Sequence, residues 1–152
     1  MYDSPGRTSA RNLGTCARWL GPPRVKRGEP LSSEHLIAVI DDDDPFRTAL
    51  VESLDSLGYD ARGYGSADEF VAADGESSCD CVVTDIHMPG MNGLDLKLML
   101  SARGSKVPVI MITARSDRGL EAMALASGAI CLLKKPFDSA ELIHCLELAL
   151  NH

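Results

Sequence analysis

Leu36-Ile37-Ala38-Val39-Ile40-Asp41-Asp42-Asp43-Asp44-Pro45 is the stretch on which the reading of this chain turns. Five apolar residues are too few for a helix, and they are apolar on both faces, as in a strand buried within a parallel sheet. The run stops on four consecutive carboxylates. Pro45, whose fixed φ suits a first helical position, then opens a helix predicted over about 45–57 with Asp44 as its cap. The unit is therefore a strand, an acidic turn and a helix.

Working outward, the same unit recurs. Cys81-Val82-Val83-Thr84, Val107-Pro108-Val109-Ile110-Met111-Ile112 and Ile130-Cys131-Leu132-Leu133 read as further buried strands, and the weaker Asp60-Ala61-Arg62-Gly63-Tyr64 reads as an edge strand. Between them lie helical patterns over about 67–73 after Ser66, about 93–102, about 117–126 ending before Gly128, and about 139–150. In the last, Asp138 and Glu141 have capping-box spacing, while Leu142, Ile143, Leu146, Ala149 and Leu150 make one apolar stripe. Five strand–helix repeats specify an α/β protein with a doubly wound parallel sheet.

In such a sheet ligands bind outside the carboxyl ends of the strands, so the residues that end the apolar runs carry weight. The first run ends in Asp41 to Asp44, the third at Asp85, the fourth at Thr113 and the fifth at Lys134-Lys135-Pro136. Crowded carboxylates repel one another until a hard divalent cation relieves them, and Mg²⁺ prefers one or two carboxylates, backbone oxygens and several waters. A hydroxyl and an ammonium on the same rim supply donors for phosphoryl oxygens, and an aspartate among them can receive the group. The chemistry implied is phosphate transfer to a carboxylate.

Composition sets the outer limits. The 152 residues, 45% hydrophobic and 24% charged, fill one ordinary core. A net charge of −7 argues against a nucleic-acid-coating protein and a polybasic membrane binder. No apolar run approaches the roughly 20 residues of a membrane span, and no secretory h-region opens the chain, so the expected location is the cytoplasm. Five cysteines, Cys16, Cys79, Cys81, Cys131 and Cys145, without C-x-x-C spacing read as reduced, mostly packed thiols. Charge divides the chain: residues 1–34 carry +3 and the remainder −10. That head is rich in Pro and Gly, lacks helix or strand periodicity, and is expected to be a disordered basic extension; the alternative is a partner-binding arm. Residues 35–152 form the predicted domain.

Four motifs in order at strand ends resemble the receiver domain of two-component response regulators, and most of all its FixJ-type members. They are Val39-Ile40-Asp41-Asp42-Asp43-Asp44-Pro45-Phe46-Arg47, Val83-Thr84-Asp85-Ile86-His87-Met88-Pro89-Gly90-Met91-Asn92-Gly93, Ile112-Thr113-Ala114 and Lys134-Lys135-Pro136-Phe137. The resemblance implies a five-stranded flavodoxin/CheY-like sheet of order 2-1-3-4-5. It makes Asp85 the phospho-acceptor, Thr113 the switch hydroxyl and Lys135 the phosphate-pairing lysine, with Lys134 facing away. Asp41 and Asp42 become the acidic pair, and Mg²⁺ would be held there by Asp42, Asp85 and the carbonyl of His87. The Lys135–Pro136 bond is expected to be cis.

By the same resemblance the partners are a histidine kinase or phosphotransfer protein and a downstream protein target, with no direct nucleic-acid binding, no membrane and an option of phosphorylation-driven dimerisation. The expected role is a stand-alone phospho-acceptor without separate substrate turnover. Leu132 stands where many receivers carry Tyr or Phe, so an aromatic switch is not expected. The face of the helix at about 117–126, the strand after it and the last helix is the expected output surface. His87 and Arg115 are expected to border the phosphate site and alter how water reaches it, while His144 reads as a surface residue. Two other readings compete: a haloacid-dehalogenase-like phosphatase using Asp41 through Asp41-x-Asp43, and a phosphorylation-independent binding module acting through the basic head.

Overall fold

A computed structural model describes residues 35–115 and 118–151. The expectation of a disordered or partner-binding head at 1–34, and Cys16 with it, lies outside the described residues. Five strands pair in parallel in the order β2-β1-β3-β4-β5: β1 Leu36–Ile40, β2 Asp60–Tyr64, β3 Cys81–Asp85, β4 Val109–Thr113 and β5 Cys131–Lys134. Helices α1 Asp44–Ser56, α2 Ala67–Ala72, α3 Gly75–Ser78, α4 Gly93–Ala102, α5 Arg118–Ala126 and α6 Ser139–Leu150 connect and follow them. The order is the expected 2-1-3-4-5, with the weak run Asp60–Tyr64 at an edge. Only the single turn α3 has no counterpart in the sequence reading. It follows Asp74, which sits in the left-handed region at φ 55°.

Alternation within the central strands divides the core. Ile37 and Val39 of β1, Val83 of β3 and Ile110 and Ile112 of β4 pack with Leu50 and Leu54 of α1 and Leu142, Cys145, Leu146 and Ala149 of α6. Ala38, Ile40, Val82 and Met111 point the other way, onto Phe70 of α2, Leu96 and Leu100 of α4 and Ala124 of α5. Successive side chains of a strand face opposite sides, so a run apolar at every position requires helices on both faces. Each fully buried Leu, Ile or Phe contributes about 1.5–3 kcal/mol. The predicted stripe on α6 is present with one change, since Cys145 is buried within it and Ile143 and Leu150 lie half-buried at its margins.

Helix caps account for the boundaries. Asp138 and Glu141 form the capping box expected before α6, Ser66 caps α2 through the Glu69 N–H, and Asn92 and Asp95 form a second box at α4. One cap differs from the sequence reading. Asp43, not Asp44, caps α1, its carboxylate accepting from the Phe46 N–H at 3.2 Å. Asp44 already has helical backbone, and its carboxylate pairs with Arg47 one turn on at 2.5 Å. A cap must stand outside the helix with extended φ/ψ, and Pro at the second helical position moves that place one residue earlier.

Candidate functional site at the carboxyl rim of the sheet

Register brings the polar strand ends to one edge. Ile40 pairs with Thr84, Asp85 with Ile112 and Thr113 with Lys134, so Asp41, Asp85, Thr113 and Lys135 emerge on the same rim. Backbone bonds extend the ladders past the strand ends: Asp41 donates its N–H to the Tyr64 carbonyl, Ile86 to Ile112 and Lys135 to Thr113, at 3.1, 2.8 and 2.8 Å. The rim residues are thereby held by sheet rather than by loop.

The four aspartates after β1 do four different things. Asp41, 1% exposed, turns inward and accepts the Asp43 N–H at 2.9 Å. Asp42 points outward, and its carboxylate engages no side chain among the described residues. Asp43 caps α1 and Asp44 pairs with Arg47, whose guanidinium also donates to the Asp41 carbonyl at 2.6 Å. Arg47 therefore ties the acidic turn to the first turn of α1.

Asp85, 7% exposed, accepts the His87 N–H on Oδ1 at 2.9 Å. Its Oδ2 faces Lys135 Nζ at 3.2 Å, and the same ammonium reaches Asp41 Oδ2 at 3.3 Å. On another side Nζ lies 3.9 Å from the centroid of the Phe46 ring, and Phe46 meets Phe137 edge to face at 6.2 Å and 81°. Thr113, 1% exposed, accepts the Arg115 N–H on its hydroxyl at 3.0 Å. Gly93 begins α4 against the backbone of Asp85: a Cβ there would stand 2.7 Å from the Asp85 carbonyl oxygen and 3.1 Å from Ile86 Cα.

One oxygen each from Asp41, Asp42 and Asp85 lie within 4.8 Å of one another. Lys135 pairs with two of these three carboxylates, Asp41 and Asp85, and Asp42 is left without a cation among the described residues, so negative charge is in excess. Burial pushes the Asp41 carboxyl above its ordinary value, and the charge of Asp85 adds to that, although the Asp43 N–H and Lys135 pull the other way. Burial also weakens the Lys135 ammonium, but Asp85 and Asp41 together more than offset it, leaving its pKa above the usual lysine value. This donor set, with hard oxygens, charge excess and one uncommitted outward carboxylate in Asp42, fits a divalent cation such as Mg²⁺.

The remaining expectations sort cleanly. Lys134 is exposed while Lys135 turns in, and the Lys135–Pro136 peptide is cis. His87 and Arg115 take part through their backbone N–H groups, and both are exposed. His144 is exposed, Cys81 and Cys145 are buried, and Cys79, Cys81, Cys131 and Cys145 are free thiols. Burial holds the Cys79 thiol at about 11 and that of Cys145 at about 12. Leu132 is half-buried on β5. Sequence reasoning gave no role to Phe46, Arg47 or Gly93. Gly93 closes the second of the four motifs, but a ring beneath a lysine 89 positions away has no signature along the chain.

Comparison with known proteins agrees with this geometry. Residues 37–147 match the family model described as response regulator receiver domain. Transcriptional regulatory protein FixJ of Azorhizobium caulinodans is 40% identical over 115 residues, covering 76% of this chain and 54% of FixJ. Response regulator protein TmoT of Ectopseudomonas mendocina is 31% identical over 130 residues, covering 86% of this chain and 59% of TmoT. The chain thus spans about half the length of the curated relatives it matches. The crystal structure of FixJ-N superposes with a TM-score of 0.73 at 30% identity, covering 78% of this chain and 94% of that one. Among the described residues no helix is long and apolar enough to cross a membrane. With its sheet order, its acidic rim and these likenesses, the chain belongs to the response regulator receiver domains of two-component systems.

Proposed function

We propose that this chain receives a phosphoryl group on Asp85 from a histidine kinase or phosphotransfer protein, in a reaction that needs Mg²⁺. The observation that carries the reading is the Lys135 ammonium held between Asp41 and Asp85, at 3.3 and 3.2 Å, with Asp42 beside them. An Asp85 carboxylate oxygen attacks phosphorus, the P–N bond of the donor phosphohistidine breaks, and the freed imidazole takes up a proton. Bound Mg²⁺ would neutralise charge on the transferring phosphoryl oxygens, with Asp42, Asp85 and the His87 carbonyl as its holders and Asp41 orienting the set. Lys135 pairs with a phosphoryl oxygen once the Asp85 charge is spent, and the Thr113 hydroxyl gives a second contact.

The chain takes part in its own phosphorylation and dephosphorylation and turns over no separate substrate, so the protein acts as a stoichiometric acceptor that signals through changed partner affinity. Residues 35–152 are the receiver in this reading, 1–34 are an appendage, the protein acts in the cytoplasm with a histidine kinase or phosphotransfer protein and a downstream protein target as partners, and a second copy can be one such target. His87 and Arg115, next to the acceptor and the hydroxyl, are the side chains proposed to govern water access. The phosphatase reading needs Asp43 as its second carboxylate, and Asp43 is committed to the α1 cap. Intact-mass spectrometry after incubation with acetyl phosphate, with and without Mg²⁺, tests the proposal. A metal-dependent phosphate adduct lost in Asp85→Ala supports it. An adduct kept in Asp85→Ala and lost in Asp41→Ala refutes it.

A further inference from the structure

Lys135 has an unusual setting for a surface-rim lysine. Its Nζ has carboxylates at 3.3 and 3.2 Å and, in addition, the face of Phe46 at 3.9 Å to the centroid. We infer that Phe46 is a positioning residue: its ring face fixes the Lys135 ammonium between Asp41 and Asp85, ready for the phosphoryl group. This rests on the reading of Asp85 as the acceptor.

One ring contact and two anchors of the first turn of α1 locate the ring. The Asp43 cap holds the Phe46 N–H at 3.2 Å, which sets the first turn of α1. Phe137, two residues beyond Lys135, meets the ring edge to face at 6.2 Å, so the segment that carries the lysine also braces its platform. Arg47, the next residue, is anchored to the Asp41 carbonyl at 2.6 Å. The ring and the acidic turn are therefore tied to one another through the first turn of α1.

The ring does what the carboxylates cannot. A lysine stem has several rotatable bonds and loses rotamer freedom when its head is held. The ion pair with Asp85 must loosen as Asp85 bonds to phosphorus, because its negative charge passes to the phosphoryl oxygens. The ring quadrupole attracts the ammonium before and after that event alike, and it occupies a side where water would otherwise solvate the charge. The lysine side chain is 20% exposed, so water is only partly excluded and the ring's attraction is of useful size. Leucine at 46 would preserve apolar packing but present no negative face.

The test separates face charge from packing. Phe46→Leu, Phe46→Tyr and 4-fluoro-, difluoro- and trifluorophenylalanine at position 46 are compared in the rate of acetyl-phosphate-driven phosphorylation in Mg²⁺. Fluorination drains the ring face with little change of shape. The expected result is about a threefold to tenfold loss of rate in Phe46→Leu, a graded loss along the fluorine series, and a rate within about twofold of the parent in Phe46→Tyr. In parallel, the ε-methylene signal of Lys135 in ¹³C-lysine-labelled protein, identified by its absence in Lys135→Arg, is read without any phosphate donor. It should lie upfield in the parent and move back in Phe46→Leu. Equal rates across the fluorine series, or a lysine signal that does not move, overturn the inference. A phosphate adduct retained in Asp85→Ala, while the lysine signal moves as expected, refutes the acceptor role of Asp85 and leaves the ring–lysine placement standing.

Discussion

Replacing Gly93 by alanine should damage the site from the backbone outward. The added Cβ would lie 2.7 Å from the Asp85 carbonyl oxygen and 3.1 Å from Ile86 Cα. Both are backbone atoms at the end of a central strand, so no side chain can swing aside. Relief requires α4 to withdraw by about half an ångström, which lengthens the 3.1 Å bond from the Gly93 N–H to the Ile86 carbonyl and drags on Asp85. Overpacking of this kind costs about 1–3 kcal/mol. Against it stands about 0.4–1 kcal/mol gained because alanine restricts the unfolded chain. The net expectation is a loss of about 1–2 kcal/mol, or a Tm lower by about 4–8 °C for a domain of this size. Gly65→Ala is the control. There the Cβ meets Glu69 Oε1 at 3.4 Å and Arg47 Nη1 at 3.6 Å, which is ordinary contact, so the entropy term acts alone and Tm should rise by a few degrees. Thermal unfolding followed by circular dichroism reads both. A Gly93→Ala protein as stable as the parent, or more so, refutes the close-approach argument, because the two substitutions are predicted to differ in sign.

Further expectations concern the acidic turn. Asp43→Ala removes the α1 cap and should cost about 1 kcal/mol, seen as a Tm drop of about 4 °C, with Asp43→Ser restoring most of it; an equal drop in Asp42→Ala would contradict the assignment of the cap. The raised Asp41 pKa means that its contribution to stability is fully present below the ordinary value near 3.8 and is lost as pH rises through the folded-state value. In metal-free buffer, therefore, the stability of the parent relative to Asp41→Asn should decline as pH rises above the ordinary value near 3.8, measured by urea unfolding, and a constant difference would refute it. Lys135 gives no slope in that window, because its raised pKa acts only where pH approaches and exceeds 10.5. Mg²⁺ at about ten times its Kd should add about 1.4 kcal/mol to the parent and nothing to a variant in which Asp42 and Asp85 are both Asn, by the same urea titration; equal gains would place the ion elsewhere.

Much of this was legible along the chain. Runs apolar at every position announced buried parallel strands, and Cys81–Asp85 and Val109–Thr113 lie within about two residues of their predicted bounds. Polar residues ending those runs marked Asp41, Asp42, Asp85 and Lys135, which the fold brings together, and Thr113 emerges on the same rim. The parts that escaped are those set by distance across the fold or by a shift of one residue. Asp44 was read as the cap because it precedes Pro45, yet helical φ/ψ already begins at Asp44 and the cap falls on Asp43. The turn Gly75–Ser78 has four residues, too few for periodicity to show. Phe46 and Lys135 meet only because β1 and β5 lead to the same rim, which no local pattern encodes.

The acidic turn also shows how a folded unit can hold a reactive charge excess without a loose site. Asp43 and Asp44 use their charge on the start of α1, where a carboxylate is favoured by the exposed N–H groups and the helix dipole. Asp41 and Asp85 use theirs on one ammonium and two backbone N–H groups. Only Asp42 is left to solvent. Stability is thus drawn from Asp43 and Asp44, while the strain of crowding falls on the buried pair, Asp41 and Asp85, where burial already raises the Asp41 pKa. A cation held by Asp42 and the buried pair would relieve that crowding, and a phosphoryl group on Asp85 would remove one member of it. Both events act on the same excess, so the sequence that makes the rim uncomfortable in the resting state is what would couple metal, phosphate and fold.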